Sequence, residues 1–168
     1  DANETAEAWK IAIARRDGPT ALILTRQNVP TFERATSPQV DKGAYILADL
    51  GDKKPELILM GTGSEVQLCL DAGKKLSEEG HAVRVVSIPS WELFAKQSDG
   101  YCESVLPRQV KARVAVEAGA SLGWERFVGL EGRIISIDHY GASAPAKVIF
   151  EKLGFTVENV MAKAKELL

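Results

Sequence analysis

One arginine in this sequence is a strong candidate for binding an anionic ligand. The turn residues Asp17, Gly18 and Pro19 precede a short apolar run, residues 21–24, and Arg26 lies two residues beyond that run. A continuous apolar run after a turn predicts a strand that is buried on both faces. Because ligands gather at the carboxyl ends of strands in α/β sheets, a guanidinium there is well placed to bind a phosphate or carboxylate. An arginine that only forms an ion pair at a domain edge is the alternative.

A second candidate is the turn formed by Gly61, Thr62, Gly63 and Ser64. The turn lies between a predicted buried strand and a predicted helix, so free N–H groups at the helix start would attract an anion, and Ser64 is predicted to cap the helix. The segment lacks the lysine of a phosphate-binding loop and the full dinucleotide fingerprint. The pattern therefore favours a turn selected for its geometry, with anion binding as the functional alternative.

Three further polar residues follow predicted strands, and the sequence leaves their roles open. Asp138 and His139 form a protonatable pair, but adjacent side chains on a strand point to opposite faces, which favours structural roles over a general base. Glu117 is predicted to line a cleft or cap the helix that follows it. Two isolated histidines, two distant cysteines and no clustered carboxylates predict no metal site.

The composition is that of a soluble globular protein. The chain has 168 residues, of which 45% are hydrophobic, and its net charge of −2 gives no electrostatic reason to expect a nucleic acid or an anionic membrane as partner. No apolar run approaches the ~20 residues that a membrane span needs. Cys69 and Cys102 lie in predicted helices and are expected to be reduced thiols. The lack of an initiating Met predicts a piece of a longer protein.

Turns and apolar runs divide the chain into three predicted parts. Residues 1–30 are predicted to form a helix and then the strand that carries Arg26, and residues 31–43 are predicted to be a linker. Residues 44–168 are predicted to form a second domain. The first helix has an apolar stripe at three-to-four spacing, made of Ala2, Ala6, Trp9 and Ile13.

The second domain is predicted to have an α/β fold, a three-layer and mostly parallel sheet with helices on both faces. Short apolar strands alternate with helices, which is typical of that architecture. The strand at 44–47, which a short turn joins to the next strand, is predicted to be an antiparallel edge strand. Further strands are predicted at 57–60, 83–87, 111–116 and 133–137, and helices at 64–79, 122–128, 143–153 and 157–168.

Five segments, in order, resemble the last portion of transketolases. They are Thr25-Arg26-Gln27-Asn28, Gly61-Thr62-Gly63-Ser64-Glu65-Val66, Glu103-Ser104-Val105-Leu106-Pro107, Ala115-Val116-Glu117-Ala118-Gly119 and Gly141-Ala142-Ser143-Ala144-Pro145-Ala146. The resemblance covers nearly the whole chain, although Thr25 stands where the family has a serine. It implies that residues 1–30 end the pyrimidine-binding domain and that residues 44–168 are the transketolase C-terminal domain.

The resemblance also implies a function for the parent protein. Transketolases move a two-carbon ketol unit between sugar phosphates with thiamine diphosphate and Mg²⁺, and the family match assigns Arg26 to the sugar phosphate. The family's Gly-Asp-Gly…Asn cofactor motif is absent from this sequence, so the piece alone is expected to bind no cofactor and to be inactive. Its expected partners are the rest of the transketolase chain and a second subunit, in the cytoplasm or, in a photosynthetic eukaryote, the plastid stroma.

Other interpretations stay open at this point. The chain could be a free-standing α/β module that binds a small anion or nucleotide at residues 61–64. It could also be the C-terminal part of another thiamine-dependent enzyme, such as deoxyxylulose-phosphate synthase, although Arg26-Gln27-Asn28 favours transketolase. Residues 1–30, which lack the sheet they would join, are expected to be disordered or docked on another surface, such as a second copy of the chain.

Overall fold

The strands form one sheet in the order β1-β3-β2-β4-β5. In this computed structural model, residues 1–33 and 37–168 are described, so the predicted linker 31–43 lies partly outside the described residues. The strands are β1 Tyr45–Leu50, β2 Leu57–Gly61, β3 Val83–Ser87, β4 Ala112–Val116 and β5 Arg133–Ile135.

The pairing of the strands confirms the predicted sheet. Strand β1 runs antiparallel to β3, with Tyr45 opposite Ser87, and the other neighbouring strands are parallel. A short turn joins β1 to β2, yet β1 pairs with β3 because β3 and β4 already occupy both edges of β2. The antiparallel strand therefore lies at the edge of the sheet.

Helices cover both faces of the sheet, as predicted. They are α1 Ala2–Ala14, α2 Val66–Glu78, α3 Trp91–Phe94, α4 Asp99–Val105, α5 Glu125–Val128, α6 Ala146–Lys152 and α7 Val157–Lys165. Successive residues of β2 alternate between two cores because side chains on a strand point to opposite faces. Leu57 and Leu59 pack towards α2 and α7, whereas Ile58 and Met60 pack towards α3, α4 and α5.

Two predicted helices begin later than the sequence suggested. The helix predicted from residue 143 begins at Ala146, because the residue before Pro145 is kept out of helical geometry. The helix predicted from residue 122 begins at Glu125. Gly123 has a φ of 92° in the left-handed region, which interrupts a right-handed helix at that point.

The predicted strand at residues 21–24 does not form. Residues 15–30 contain neither helix nor strand, and the backbone N–H groups of residues 21–24 bond to no backbone carbonyl in the described part of the chain. A strand needs a neighbour for its N–H and C=O groups, and no neighbour reaches this run. Ile23 and Leu24 are exposed as a result.

Helix α1 docks on the sheet through a buried carboxylate. Glu4 is 7% exposed. Its Oε1 accepts hydrogen bonds from Tyr45 Oη at 2.7 Å and from Ser87 Oγ at 2.5 Å, on the edge strand and its neighbour. Burial acts to raise the pKa of Glu4, but these hydrogen bonds, together with the hydrogen bond and charge of the Asp1 amino group 2.9 Å from Oε2, outweigh burial and hold the pKa below its ordinary value.

The predicted apolar stripe of α1 faces away from this contact. Ala2 and Ala6 are exposed, and Trp9 and Ile13 have 53% and 67% of their surface exposed. The helix therefore contacts the sheet through a polar anchor and leaves its apolar side uncovered by the described part of the chain.

Replacing Glu4 with alanine is expected to release α1 without unfolding the sheet. The change removes the acceptor that Tyr45 and Ser87 share, which costs about 1–3 kcal/mol of docking free energy. Hydrogen exchange of α1 amides should accelerate while exchange in β2 stays slow. Glu7→Ala, in the same helix, is the control, because Glu7 pairs only with Lys10 on the surface, 2.6 Å away. Unchanged protection of α1 in Glu4→Ala would contradict the anchor.

Candidate functional site

The connections of β2 mark the place in this sheet where a site is expected. Strand β2 is followed along the chain by β3 on one side, and β4 then lies on its other side. In α/β sheets, ligands bind outside the carboxyl ends of the strands where the strand order reverses in this way. Here Gly61 and Val116 are paired at those ends. The loops that follow them form what we call the switch-point crevice, where the side chains of Ser64, Glu65, Glu117 and Trp124 meet.

A buried carboxylate ties the two loops of the crevice together. Glu65 is 4% exposed, and its Oε2 accepts a hydrogen bond from the backbone N–H of Ala118 at 3.1 Å. Its Oε1 accepts a hydrogen bond from Ser64 Oγ. The Ser64 hydroxyl therefore donates to the neighbouring carboxylate. The prediction that Ser64 caps the helix is wrong, because residues Gly63–Glu65 form a 3-10 turn without a side-chain cap.

Glu117 lies close enough to Glu65 for the two charges to interact. Burial is the main cause that raises the pKa of Glu117 to about 7, and the negative charge of Glu65 adds to it. The Trp124 indole N–H lies outside hydrogen-bond geometry, but its dipole still favours the charged form of Glu117 and opposes this shift. Burial also raises the pKa of Glu65, against the two hydrogen bonds that it accepts. The crevice thus holds two neighbouring carboxyl groups whose pKa values are both raised above the ordinary range.

The indole of Trp124 closes the crevice from the side of α5. Its ring is fully buried, and its Nε1–H has no hydrogen-bond partner in the described part of the chain. Packing is tight at the strand ends, since a Cβ on Gly61 would lie 3.3 Å from the Sγ of Cys69. Burial, followed by the charge of Glu65, raises the pKa of the Cys69 thiol and keeps it protonated.

This charge distribution bears on the predicted anion site at Gly61, Thr62, Gly63 and Ser64. An anion there would lie next to two carboxylates, and like charges in a partly dry site repel strongly. The negatively charged group next to the turn is the carboxylate of Glu65, which accepts the hydrogen bond from Ser64. Anion binding at this turn stays a prediction from the sequence, and the observed electrostatics disfavour it.

Arg26 lies apart from this crevice, in an exposed bend. Next to it, the hydroxyl of Thr25 donates a hydrogen bond to the side chain of Gln27. Arg26 itself makes no ion pair or side-chain hydrogen bond with the described residues. Its guanidinium is therefore available to a ligand or to another surface.

Asp138 and His139 have separate roles in the structure. Asp138 Oδ1 accepts a hydrogen bond from the backbone N–H of Ser121 at 2.8 Å, which holds the loop after β5 against the loop after β4. That hydrogen bond lowers the pKa of Asp138. The Nδ1 of His139 lies 2.8 Å from the carbonyl oxygen of Tyr140. These contacts support the structural roles that the strand geometry favoured.

The described residues, 1–33 and 37–168, contain no group of three or more His, Cys, Asp or Glu side chains that could hold a metal ion. Within the same residues, no helix is long and apolar enough to cross a membrane.

Sequence reasoning missed the two buried carboxylates that organise the chain, Glu65 and Glu4, although it did single out Glu117. Glu65 follows a strand-to-helix turn and Glu117 ends the adjacent strand, so their proximity could be inferred once β2 and β4 were taken as neighbours. Glu4 gave no such indication, because its partners, Tyr45 and Ser87, lie 41 and 83 residues away in sequence.

Comparison with known proteins identifies the class to which this fold belongs. Residues 43–156 match the family model of the transketolase-like TK C-terminal domain. A transketolase of Nostoc sp. is 52% identical over 170 residues, which cover 100% of this chain and 25% of that protein. Transketolase 1 of Vibrio parahaemolyticus is 54% identical, with coverages of 100% and 26%. The structure of transketolase from Leishmania mexicana superimposes with a TM-score of 0.90 at 41% identity, covering 99% of this chain and 24% of that one.

The chain belongs to the transketolase family, with the fold of the transketolase C-terminal domain. It corresponds to the C-terminal part of these enzymes and spans about a quarter of the length of the curated relatives it matches. A stand-alone anion-binding module and another thiamine-dependent enzyme are not favoured, since the relatives at about 50% identity are transketolases along the whole chain.

Glu117→Gln is expected to raise the melting temperature near pH 8 and to change it little near pH 5. The folded-state pKa of Glu117, about 7, is above the unfolded value. The stability that this carboxyl contributes is therefore present at low pH and lost as the pH rises through 7. Solvent screening of this half-buried group limits the gain to about 1 kcal/mol, or roughly 2–4 °C.

The measurement is thermal unfolding by circular dichroism across that pH range, with Glu131→Gln as control because Glu131 is exposed. An equal shift of the Glu117→Gln melting temperature at both pH values would show that the carboxyl does not titrate between them.

Proposed function

We propose that this chain is the C-terminal part of an enzyme that moves a two-carbon ketol unit between sugar phosphates. The supporting observation is the identity of about 50% to transketolases along the entire chain. Structures of transketolase from Pichia stipitis, 38% identical to this chain, are described in complex with sedoheptulose 7-phosphate and, for mutants, with xylulose 5-phosphate and with fructose 6-phosphate. Sugar phosphates are therefore the proposed substrates of the complete protein.

Thiamine diphosphate and Mg²⁺ are the cofactors that the family implies, and the residues of this chain do not fit them. The sequence has no Gly-Asp-Gly segment, and the described residues offer no group of three or more metal-ligating side chains. When bound, the cofactor supplies the electron sink for carbanion chemistry. We assign its binding to other parts of the enzyme, and we expect this chain alone to bind no thiamine diphosphate.

Arg26 is the proposed contact to the sugar phosphate. Its side chain is exposed and free of ion pairs in the described part of the chain, as a ligand-binding guanidinium must be before substrate arrives. A guanidinium can bind phosphate oxygens through two parallel hydrogen bonds, which fixes the orientation of the substrate.

The exposed apolar residues of the first thirty positions form the proposed contact with the rest of the transketolase chain and with a second subunit. Trp9, Ile13, Ile23 and Leu24 are 53%, 67%, 96% and 53% exposed. Apolar groups concentrated in one segment mark an interaction surface. The division into residues 1–30, linker 31–43 and domain 44–168 is part of this proposal, with Glu4 as the anchor between the first and the last.

The proposed location is the cytoplasm, or the plastid stroma if the protein comes from a photosynthetic eukaryote. Its relatives include bacterial transketolases and one from Zea mays that is described as chloroplastic.

In the complete enzyme, Arg26→Ala should raise the KM for phosphorylated sugars about ten- to a hundredfold and change the KM for unphosphorylated ones little. A charge-assisted hydrogen bond to phosphate contributes roughly 1.5–3 kcal/mol, which only the phosphorylated substrate loses. Steady-state kinetics with both substrate types test this, with Arg16→Ala as a control at another exposed arginine. Equal losses for both types would make Arg26 a structural residue.

The proposed interface predicts a difference in hydrogen exchange between the chain alone and the complete enzyme. Amides of residues 21–24 should exchange rapidly in the monomeric 168-residue chain, because they have no strand partner, and slowly in the complete enzyme. Amides of β2 should be slow in both. Strong protection of residues 21–24 in a proven monomer would contradict the proposal.

A further inference from the structure

A cleft of about 310 Å³ lies between α3, α4 and α5. Its lining is apolar where Phe94, Leu106 and Phe127 face it, and it also includes Arg108, Arg113 and Arg126. Small-molecule sites typically range from about 300 to 1,000 Å³, so this cleft suits a ligand of modest size. It is separate from Arg26 and from the switch-point crevice.

The positive charge of the cleft exceeds its negative charge. Arg108 is paired with Glu103, with 3.5 Å between Nε and Oε2. Arg113 is half-buried and donates only to backbone carbonyls, among them that of Phe127 at 2.7 Å from Nη1. It has no carboxylate partner within ion-pair distance in the described part of the chain. Backbone dipoles and, at longer range, the charge of Glu103 act on Arg113. Glu103 already pairs with Arg108, so three arginines face one glutamate in the cleft and the net field attracts anions.

Arg126 adds a second uncompensated charge and a flat surface. Its guanidinium carbon lies 4.9 Å from the centroid of the Trp91 ring and 5.3 Å from that of Phe127. Nε donates to the carbonyl of Gly123 at 3.2 Å, and neither Nη makes a hydrogen bond to the described residues. Four N–H groups thus remain for a ligand, on a guanidinium that aromatic rings already hold in place.

Glycine at position 123 makes this arrangement possible. A Cβ there would lie 2.7 Å from the Trp91 ring. The Trp91 ring also packs against Trp124 and Phe127, with centroid distances of 5.2 and 5.4 Å. The aromatic wall is therefore built before any ligand binds, which lowers the entropic cost of binding.

We propose that this cleft binds a small aromatic phosphate, a planar ring that carries one phosphate monoester. The two uncompensated arginines match the charge of about −1.5 to −2 that a phosphate monoester carries at neutral pH. The ring would stack on the Arg126 guanidinium and contact the apolar lining, as planar groups commonly do with arginine and aromatic side chains. The cleft volume leaves room for one ring and one phosphate.

Titration of the 168-residue chain with adenosine 5′-monophosphate, followed by calorimetry and by tryptophan fluorescence, tests this proposal. We expect saturable binding of one molecule per chain. Adenosine, which lacks the charge, and inorganic phosphate, which lacks the ring, should each bind at least about tenfold more weakly. Arg126→Gln should weaken binding of the nucleotide about tenfold or more. Arg126→Lys, which keeps the positive charge but lacks the planar guanidinium group, should weaken binding by less.

Arg133→Gln and Arg26→Ala are matched controls, because neither residue lines the cleft, and both should bind the nucleotide like the parent chain. Retention of binding by Arg26→Ala separates this site from the proposed sugar-phosphate contact. Three results would each overturn the proposal: no saturable binding up to about 5 mM, binding of inorganic phosphate as tight as that of the nucleotide, or unchanged affinity in Arg126→Gln. Arg126 is exposed, so a folding defect is not expected, and circular dichroism verifies this.

Discussion

Strand β2 is enclosed on every side, with a parallel neighbour at each edge and a helical layer on each face. Residues Leu57, Ile58, Leu59 and Met60 are all fully buried. A strand in this position cannot carry polar side chains, because they would lose water without gaining partners. Polar chemistry is therefore confined to the strand ends, where the chain leaves the sheet. The crevice of Glu65 and Glu117 lies at those ends, as this constraint requires.

The chain places three glutamates in partly or fully buried positions, and each is accommodated differently. Glu4 accepts hydrogen bonds from two hydroxyl groups, which keeps its charged form favourable and joins α1 to the sheet. Glu65 bonds the backbone of the opposite loop and holds two loops together. Glu117 lacks comparable donors, so its pKa rises to about 7. Glu4 and Glu65 both accept two hydrogen bonds from hydroxyl or backbone groups, but only Glu4 is also bonded by the positively charged amino group of Asp1, so its pKa falls while that of Glu65 rises.

The sheet and the first thirty residues differ in how far their strands are paired and their apolar side chains are covered. Within residues 45–135, each strand of the sheet is hydrogen-bonded to a neighbouring strand. Helices cover both faces of this sheet. The first thirty residues end in an apolar run without a partner strand, and their helix exposes Trp9 and Ile13. These apolar side chains are left uncovered by the described part of the chain, which spans about a quarter of the length of the transketolase relatives it matches.

The sequence by itself determined the sheet and the family. Short apolar runs at regular intervals specify strands buried on both faces. The short turn after the strand predicted at 44–47 indicates an antiparallel edge strand, which is confirmed, but its partner is β3 and not the strand that the turn joins to it. Ordered segments such as Gly61-Thr62-Gly63-Ser64-Glu65 specify the family. Tertiary structure decided everything that depends on distant partners. Residues 21–24 have strand-forming composition but no neighbour to bond, so no strand forms. Glu4 is buried against residues far away in sequence, and Arg113 and Arg126 line one cleft from separate elements. A local sequence pattern carries no information about such contacts.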